Sequence, residues 1–166
     1  MFELKPLHER NIPSALEKAK HYRLLNEPLP AESICLDILE VDPNHQEALV
    51  TLLLALSDQF EQRLNERYRR ACDVLNRLDD EYQRAYYNGL IAERRAKVHL
   101  KRGGPGSGHV TYDWFRQAME RYEKAEQLSP ADNDDAILRW NTCARILMSH
   151  PDLKPEPQQR SPQFLE

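Results

Sequence analysis

The sequence predicts an all-α fold, a stack of about three helical hairpins closed by a C-terminal capping helix. Three observations carry this. One spacing occurs twice, an alanine followed by a Cys or Tyr, an apolar residue and a proline: Ala31, Cys35, Ile38, Pro43, and again Ala118, Tyr122, Ala125, Pro130. In each copy the proline follows a residue suited to helix capping, Asp42 or Ser129, so one helix ends and the next begins at a fixed place. Charged residues make up 30% of the chain and glycine occurs only 5 times, a balance that suits helices with solvated outer faces better than strands. The 166 residues, 40% of them apolar, are enough for one domain with its own core. The organisation reads as a lead-in over 1–11, a helical domain over 12–149 and a proline-rich, disordered tail over 150–166.

The first helix is expected over 12–26, with Pro13 in its first turn and Leu16, Ala19 and Tyr22 or Arg23 on one face. Pro28 and Pro30 read as a break, because each removes an amide donor and disfavours helix in the residue before it. The return helix follows over 31–41, with Ile34, Cys35, Ile38 and Leu39 as a buried stripe. In the next helix, 46–59, Leu49, Val50, Leu52, Leu53, Leu54, Ala55 and Leu56 cover nearly the whole circumference. A helix apolar on most sides is buried on most sides, which places this one mid-stack. Its partner over 65–78 carries Tyr68, Ala71, Cys72, Leu75 and Leu78 on one face, with Arg67, Arg69, Arg70 and Arg77 as a solvated face. Residues 60–64 lengthen this hairpin relative to the first.

A helix over 80–101 opens on Asp79, Asp80 and Glu81 and closes on Lys101 and Arg102, charges that suit the two ends of its dipole. Ala85, Gly89, Ala92 and Ala96 draw a seam of small residues down one side. Gly89 costs about 1 kcal/mol relative to alanine in mid-helix, so a close neighbour is expected there. A flexible glycine loop over 103–108 leads to a helix over 112–128 whose inner stripe is Phe115, Ala118, Met119, Tyr122 and Ala125. The last helix, 134–148, turns Ala136, Ile137, Trp140, Cys143, Ala144 and Leu147 inward and, having no return helix, acts as a cap. From 150 onward Pro151, Pro155, Pro157 and Pro162 exclude helix and few apolar residues remain, the composition of a disordered tail.

The two matching return helices, with Tyr22 ahead of Ala31 and Phe115 ahead of Ala118, resemble the tetratricopeptide repeat (TPR), a helix-turn-helix unit of about 34 residues. Cys35 stands where that family has an aromatic residue, Ile38 where it has alanine, and the middle hairpin matches through Ala71 alone. The resemblance implies a non-catalytic adaptor or scaffold that binds a peptide or protein segment in a concave groove lined by the first helix of each hairpin. The residues it implies for that groove are Leu16, Lys20, Val50, Leu54, Tyr86, Leu90, Glu93 and Asn141. Val50 and Leu54, with Tyr86 nearby, would form an apolar middle suited to a hydrophobic or aromatic side chain. The alternative is a structural subunit that homo-oligomerises or docks through the apolar helix 48–56.

A formal charge of −4 gives no electrostatic reason to expect nucleic acid. The longest apolar run, 48–56, is too short to cross a bilayer, and Met1, Phe2, Glu3, Leu4 and Lys5 make no signal sequence, so no membrane partner is expected and the protein reads as cytoplasmic. Cys35, Cys72 and Cys143 form no CxxC pair and sit at apolar helical positions, where a thiol behaves as a small hydrophobe. The 6 histidines are scattered, without HExxH or Glu-x-x-His, so no metal is expected. The glycine loop lacks the lysine and hydroxyl of a phosphate-binding loop and follows a helix instead of a strand. With no GxSxG either, no catalytic residue and no cofactor are expected.

Overall fold

A computed structural model describes residues 1–157. A turn of 3-10 helix, Glu9–Asn11, leads into α1 (Ile12–Leu24), α2 (Pro28–Val41), α3 (Gln46–Ser57), α4 (Leu64–Leu75), α5 (Glu81–Arg102), α6 (Ser107–Leu128) and α7 (Asp135–Ser149), with no strand among the described residues. Short connections make successive helices packed neighbours, α1 on α2, α2 on α3, α3 on α4, α5 on α6 and α6 on α7.

Two helix starts differ from the sequence expectation by three residues or more, each for a local reason, and α4 ends at Leu75, three residues before the expected 78. Pro28 and Pro30 do not break the chain but open α2, in the first turn where an amide has no intrahelical acceptor to lose. The break falls just before them, where Asn26 adopts a φ of 59°, the left-handed conformation that asparagine tolerates at a helix end. α6 begins at Ser107, five residues before the expected start at 112. Gly103, Gly104 and Gly106, at φ of 61°, 107° and 74°, make the turn, and the Ser107 hydroxyl then donates to the Gly104 carbonyl at 2.7 Å. Side chains cap two of the other starts: Nδ1 of His45 accepts the Ala48 amide at 3.2 Å ahead of α3, and Asp80 accepts the amides of Tyr82 and Gln83 at 2.8 and 3.3 Å ahead of α5.

Apolar burial divides into two clusters that share α5. The first joins Leu16 and Ala19 of α1, Cys35 and Ile38 of α2, Leu49, Leu53 and Leu56 of α3 and Ala71 and Leu75 of α4 to Ile91 and Val98 of α5. The second joins Ala85, Ala92 and Ala96 of α5 to Phe115, Ala118, Met119, Tyr122 and Ala125 of α6, Ala136 and Cys143 of α7, and Leu153. α3 is covered as its pattern predicts, and each fully buried leucine contributes about 1.5–3 kcal/mol. Only Val50 and Leu54 of its apolar run stay half-exposed.

The small-residue seam of α5 receives the ring of Tyr122. A Cβ at Gly89 would lie 2.7 and 2.8 Å from two carbons of that ring, so the glycine is needed for the approach of α6. On α7, Ala136 and Cys143 face inward as expected, but Ile137 is exposed. The expected loose tail is also corrected over its first residues. The Leu153 amide donates to the His150 carbonyl at 3.0 Å, Leu153 is buried in the second cluster, and Nδ1 of His109 lies 2.8 Å from the Lys154 carbonyl. Gly108 permits this docking, since a Cβ there would come within 3.1 Å of the Asp152 carbonyl oxygen. Residues 158–166, the rest of the expected tail, lie outside the described residues.

Arg67 and Arg70, read in the sequence as solvated, instead hold the buried Glu32 of α2. Its carboxylate accepts from Arg67 at 3.0 Å, from Arg70 at 2.7 Å and from Gln59 at 2.8 Å, tying α2 to α4. Burial pushes the Glu32 pKa up, but the hydrogen bonds of Gln59 and Arg70, with Arg67 behind them, outweigh it and hold the carboxyl below its ordinary 4.5. A depressed folded-state pKa contributes stability that is complete above the unfolded value and is lost as pH falls through the folded one. The urea midpoint of the wild type should therefore drop as pH falls below about 4.5, and Glu32→Gln, less stable at neutral pH, should show a shallower drop. Equal slopes in the two proteins would refute this assignment.

Candidate functional site

α1, α3 and α5, the first helices of the three hairpins, border a groove of about 400 Å³. Its lining includes Lys20 and Arg23 from α1, Glu47, Val50 and Leu54 from α3, and Gln83 and Tyr87 from α5. The half-exposed Val50 and Leu54 form the apolar floor, and Tyr87 stands across from them. Burial pushes the Tyr87 phenol up, so it remains a neutral hydroxyl in the physiological range.

The rim is ionic and braced. Lys20 Nζ donates to Glu47 at 3.0 Å and to Glu17 at 3.4 Å. Arg23 holds Asp58, just past the end of α3, through two bonds of 2.7 and 3.2 Å. Arg94 of α5 reaches the same carboxylate and also donates to the Ser57 hydroxyl at 2.6 Å and the Leu54 carbonyl at 3.3 Å. One acid thus joins α1, α3 and α5 beneath the groove. Burial lowers the Arg94 pKa and the Asp58 carboxylate opposes that shift.

The structure brings together three of the residues expected from sequence, Lys20, Val50 and Leu54. Leu16, in the first apolar cluster, and Leu90 are both buried and line no part of the groove. Tyr86 lies outside the lining, with its ring centroid 5.9 Å from that of Tyr82, 5.8 Å from that of Tyr122 and 5.1 Å from that of Tyr87, which takes its place. Glu93 is 0% exposed. Its carboxylate accepts the Tyr122 hydroxyl at 2.6 Å and pairs with Lys97 and, at 3.4 Å, with Arg139, so it joins α5, α6 and α7 from inside. Asn141 lies on α7, away from the groove lining. Sequence reasoning missed Arg23, Glu47, Gln83 and Tyr87 in the lining and Arg94 behind it. Tyr87 adjoins the expected Tyr86, and Arg94 follows Tyr87 by two turns on the same helix face.

Other reactive groups are occupied with structure. Burial pushes the thiols of Cys35 and Cys143 up to about 12 and raises that of Cys72, so all three are protonated at neutral pH. The Arg95 guanidinium lies over the rings of Tyr68 and Trp114, 4.4 and 4.3 Å from their centroids, and the two rings pack edge to face where α4, α5 and α6 meet. Among the described residues no three His, Cys, Asp or Glu side chains converge, and no helix is long and apolar enough to cross a membrane. Comparison of the chain with family models, curated proteins and solved structures found no match.

Proposed function

We propose that the chain is a TPR-like adaptor that holds a peptide or protein segment in the groove of α1, α3 and α5. The observation that carries this reading is the exposure pattern of α3. An apolar run otherwise sealed in the core leaves Val50 and Leu54 partly open, with Tyr87, Lys20, Arg23 and Glu47 lining the same groove. An apolar floor with a braced polar rim is the anatomy of a recognition groove: an apolar anchor of the ligand fills the centre and polar contacts around it set orientation. The ion pairs that brace the rim limit the reorganisation needed on binding. Docking of a subunit through 48–56, the other reading of the sequence, is left with the same two side chains, because the rest of that run is covered within the chain.

Replacing Val50 and Leu54 together by glutamate tests the proposal. The side chains are half-exposed, so helicity by circular dichroism should survive, while a partner captured by the wild type should be lost from the variant. A partner retained by a folded Val50→Glu, Leu54→Glu protein would remove the groove from consideration.

A further inference from the structure

α7 ends the described stack with an open face. Asp134, Leu138, Asn141, Arg145 and Met148 follow one another at spacings of four, three, four and three, which keeps them within an arc of about 80° on one side of the helix. Leu138 is 61% exposed and Met148 80%, with Ile137 beside them, while Ala136 and Cys143 on the opposite side are buried. Asp134 makes no capping bond, and among the described residues neither it nor Arg145 is in an ion pair.

We propose that this face pairs with a second copy of the chain, the two α7 helices lying antiparallel across a two-fold axis. The order of the stripe supports this occupant. It carries an acid at the N-terminal end of α7 and a base near the C-terminal end, so an antiparallel copy meets each charge with its opposite, whereas a parallel copy meets like with like. The midpoint between Asp134 and Arg145 falls between Leu138 and Asn141. In the register that sets Asp134 against Arg145 of the second copy, the two Leu138 side chains are therefore offset by only about 4.5 Å along the axis. The two Asn141 amides have the same offset, and each offers both a donor and an acceptor. One register thus meets both charges and brings the two exposed leucines within one turn of each other, each level with Asn141 of the second copy. The antiparallel arrangement also opposes the two helix dipoles.

The test is the mass of the full chain in solution at rising concentration, by sedimentation or light scattering. The wild type should approach twice the mass of one chain. Leu138→Glu, at an exposed position, should sediment as one chain with unchanged circular dichroism. Arg145→Glu should raise the dissociation constant about tenfold or more, since two surface ion pairs become repulsions, and Asp134→Lys added to it should restore pairing. Val50→Glu, in the groove, should leave pairing untouched. A wild type that remains one chain up to its solubility limit, a dimer indifferent to Leu138→Glu, or assemblies that grow beyond two chains would each overturn the proposal. Failure of the charge swap to restore pairing would overturn it equally, because the register would then be wrong.

Discussion

Replacing Gly89 by valine is expected to destabilise the protein by about 3–4 kcal/mol, enough to lower a thermal midpoint by roughly 10 °C in a chain of this size. A Cβ at this position would sit 2.7 Å from a ring carbon of Tyr122, well inside van der Waals contact. That ring has nowhere to retreat, since Tyr122 is fully buried and its hydroxyl is anchored on Glu93. Alanine poses the sharper question, because two effects oppose each other. Helix propensity favours alanine over glycine by about 1 kcal/mol, while the overpacking costs about 2 kcal/mol or more. The contact should win, leaving Gly89→Ala less stable by about 1 kcal/mol. Thermal unfolding followed by circular dichroism would decide it, and a stabilised alanine variant would show that the ring contact is not what keeps the glycine.

The second large effect is expected at Glu93. Its removal as Glu93→Ala leaves the Tyr122 hydroxyl buried without an acceptor and takes the shared counter-charge from Lys97 and Arg139. Breaking a buried pair costs about 3–5 kcal/mol. Lys97 and Arg139 are partly exposed and recover some hydration, so the lower end, about 3 kcal/mol, is expected. Glu93→Gln keeps an acceptor for the tyrosine and should lose less, and Tyr122→Phe should lose about 1–2 kcal/mol. Because the two residues share one bond, the double variant should be more stable than the sum of the single losses allows. Additive losses in urea unfolding would mean that the 2.6 Å bond contributes little.

The helices were legible because each writes its burial into a local period: the stripe of α6 and the all-round apolar surface of α3 need nothing beyond their own residues. Errors arose where local chemistry has two meanings. Pro28 and Pro30 obey the same steric rule whether they break a helix or open one, and only the turn at Asn26 decides. Ser107 and Gly108 resemble loop in sequence, but the glycine serves as the first-turn contact for Asp152, which lies far along the chain. The groove was legible through Val50 and Leu54 because they belong to a stripe whose other members had to be buried. Glu93 was not legible. A glutamate reads as a surface residue until Tyr122 and Arg139 are brought to it by two other helices. Tyr86 and Tyr87 differ by a single step of about 100° around α5, and only the packing of α5 on its neighbours decides which of them faces the groove.

Glu93 and Arg94 are consecutive, and that adjacency governs how α5 is turned about its own axis. Apolar packing alone leaves a helix some freedom to roll, since neighbouring rows of small side chains offer similar fits. Here two opposite charges, splayed by about 100°, are drawn to different sides, Arg94 to Asp58 and Glu93 to Tyr122 and Arg139. A roll in either direction stretches one of these ties. Tyr87 lies two turns before Arg94 on the same face, so the ties that stop the roll also fix the angle at which its ring enters the groove. The aim of the Tyr87 ring is thus held by charges that lie outside the groove lining, and since Glu93 is fully buried, salt screens its tie far less than it would a surface pair.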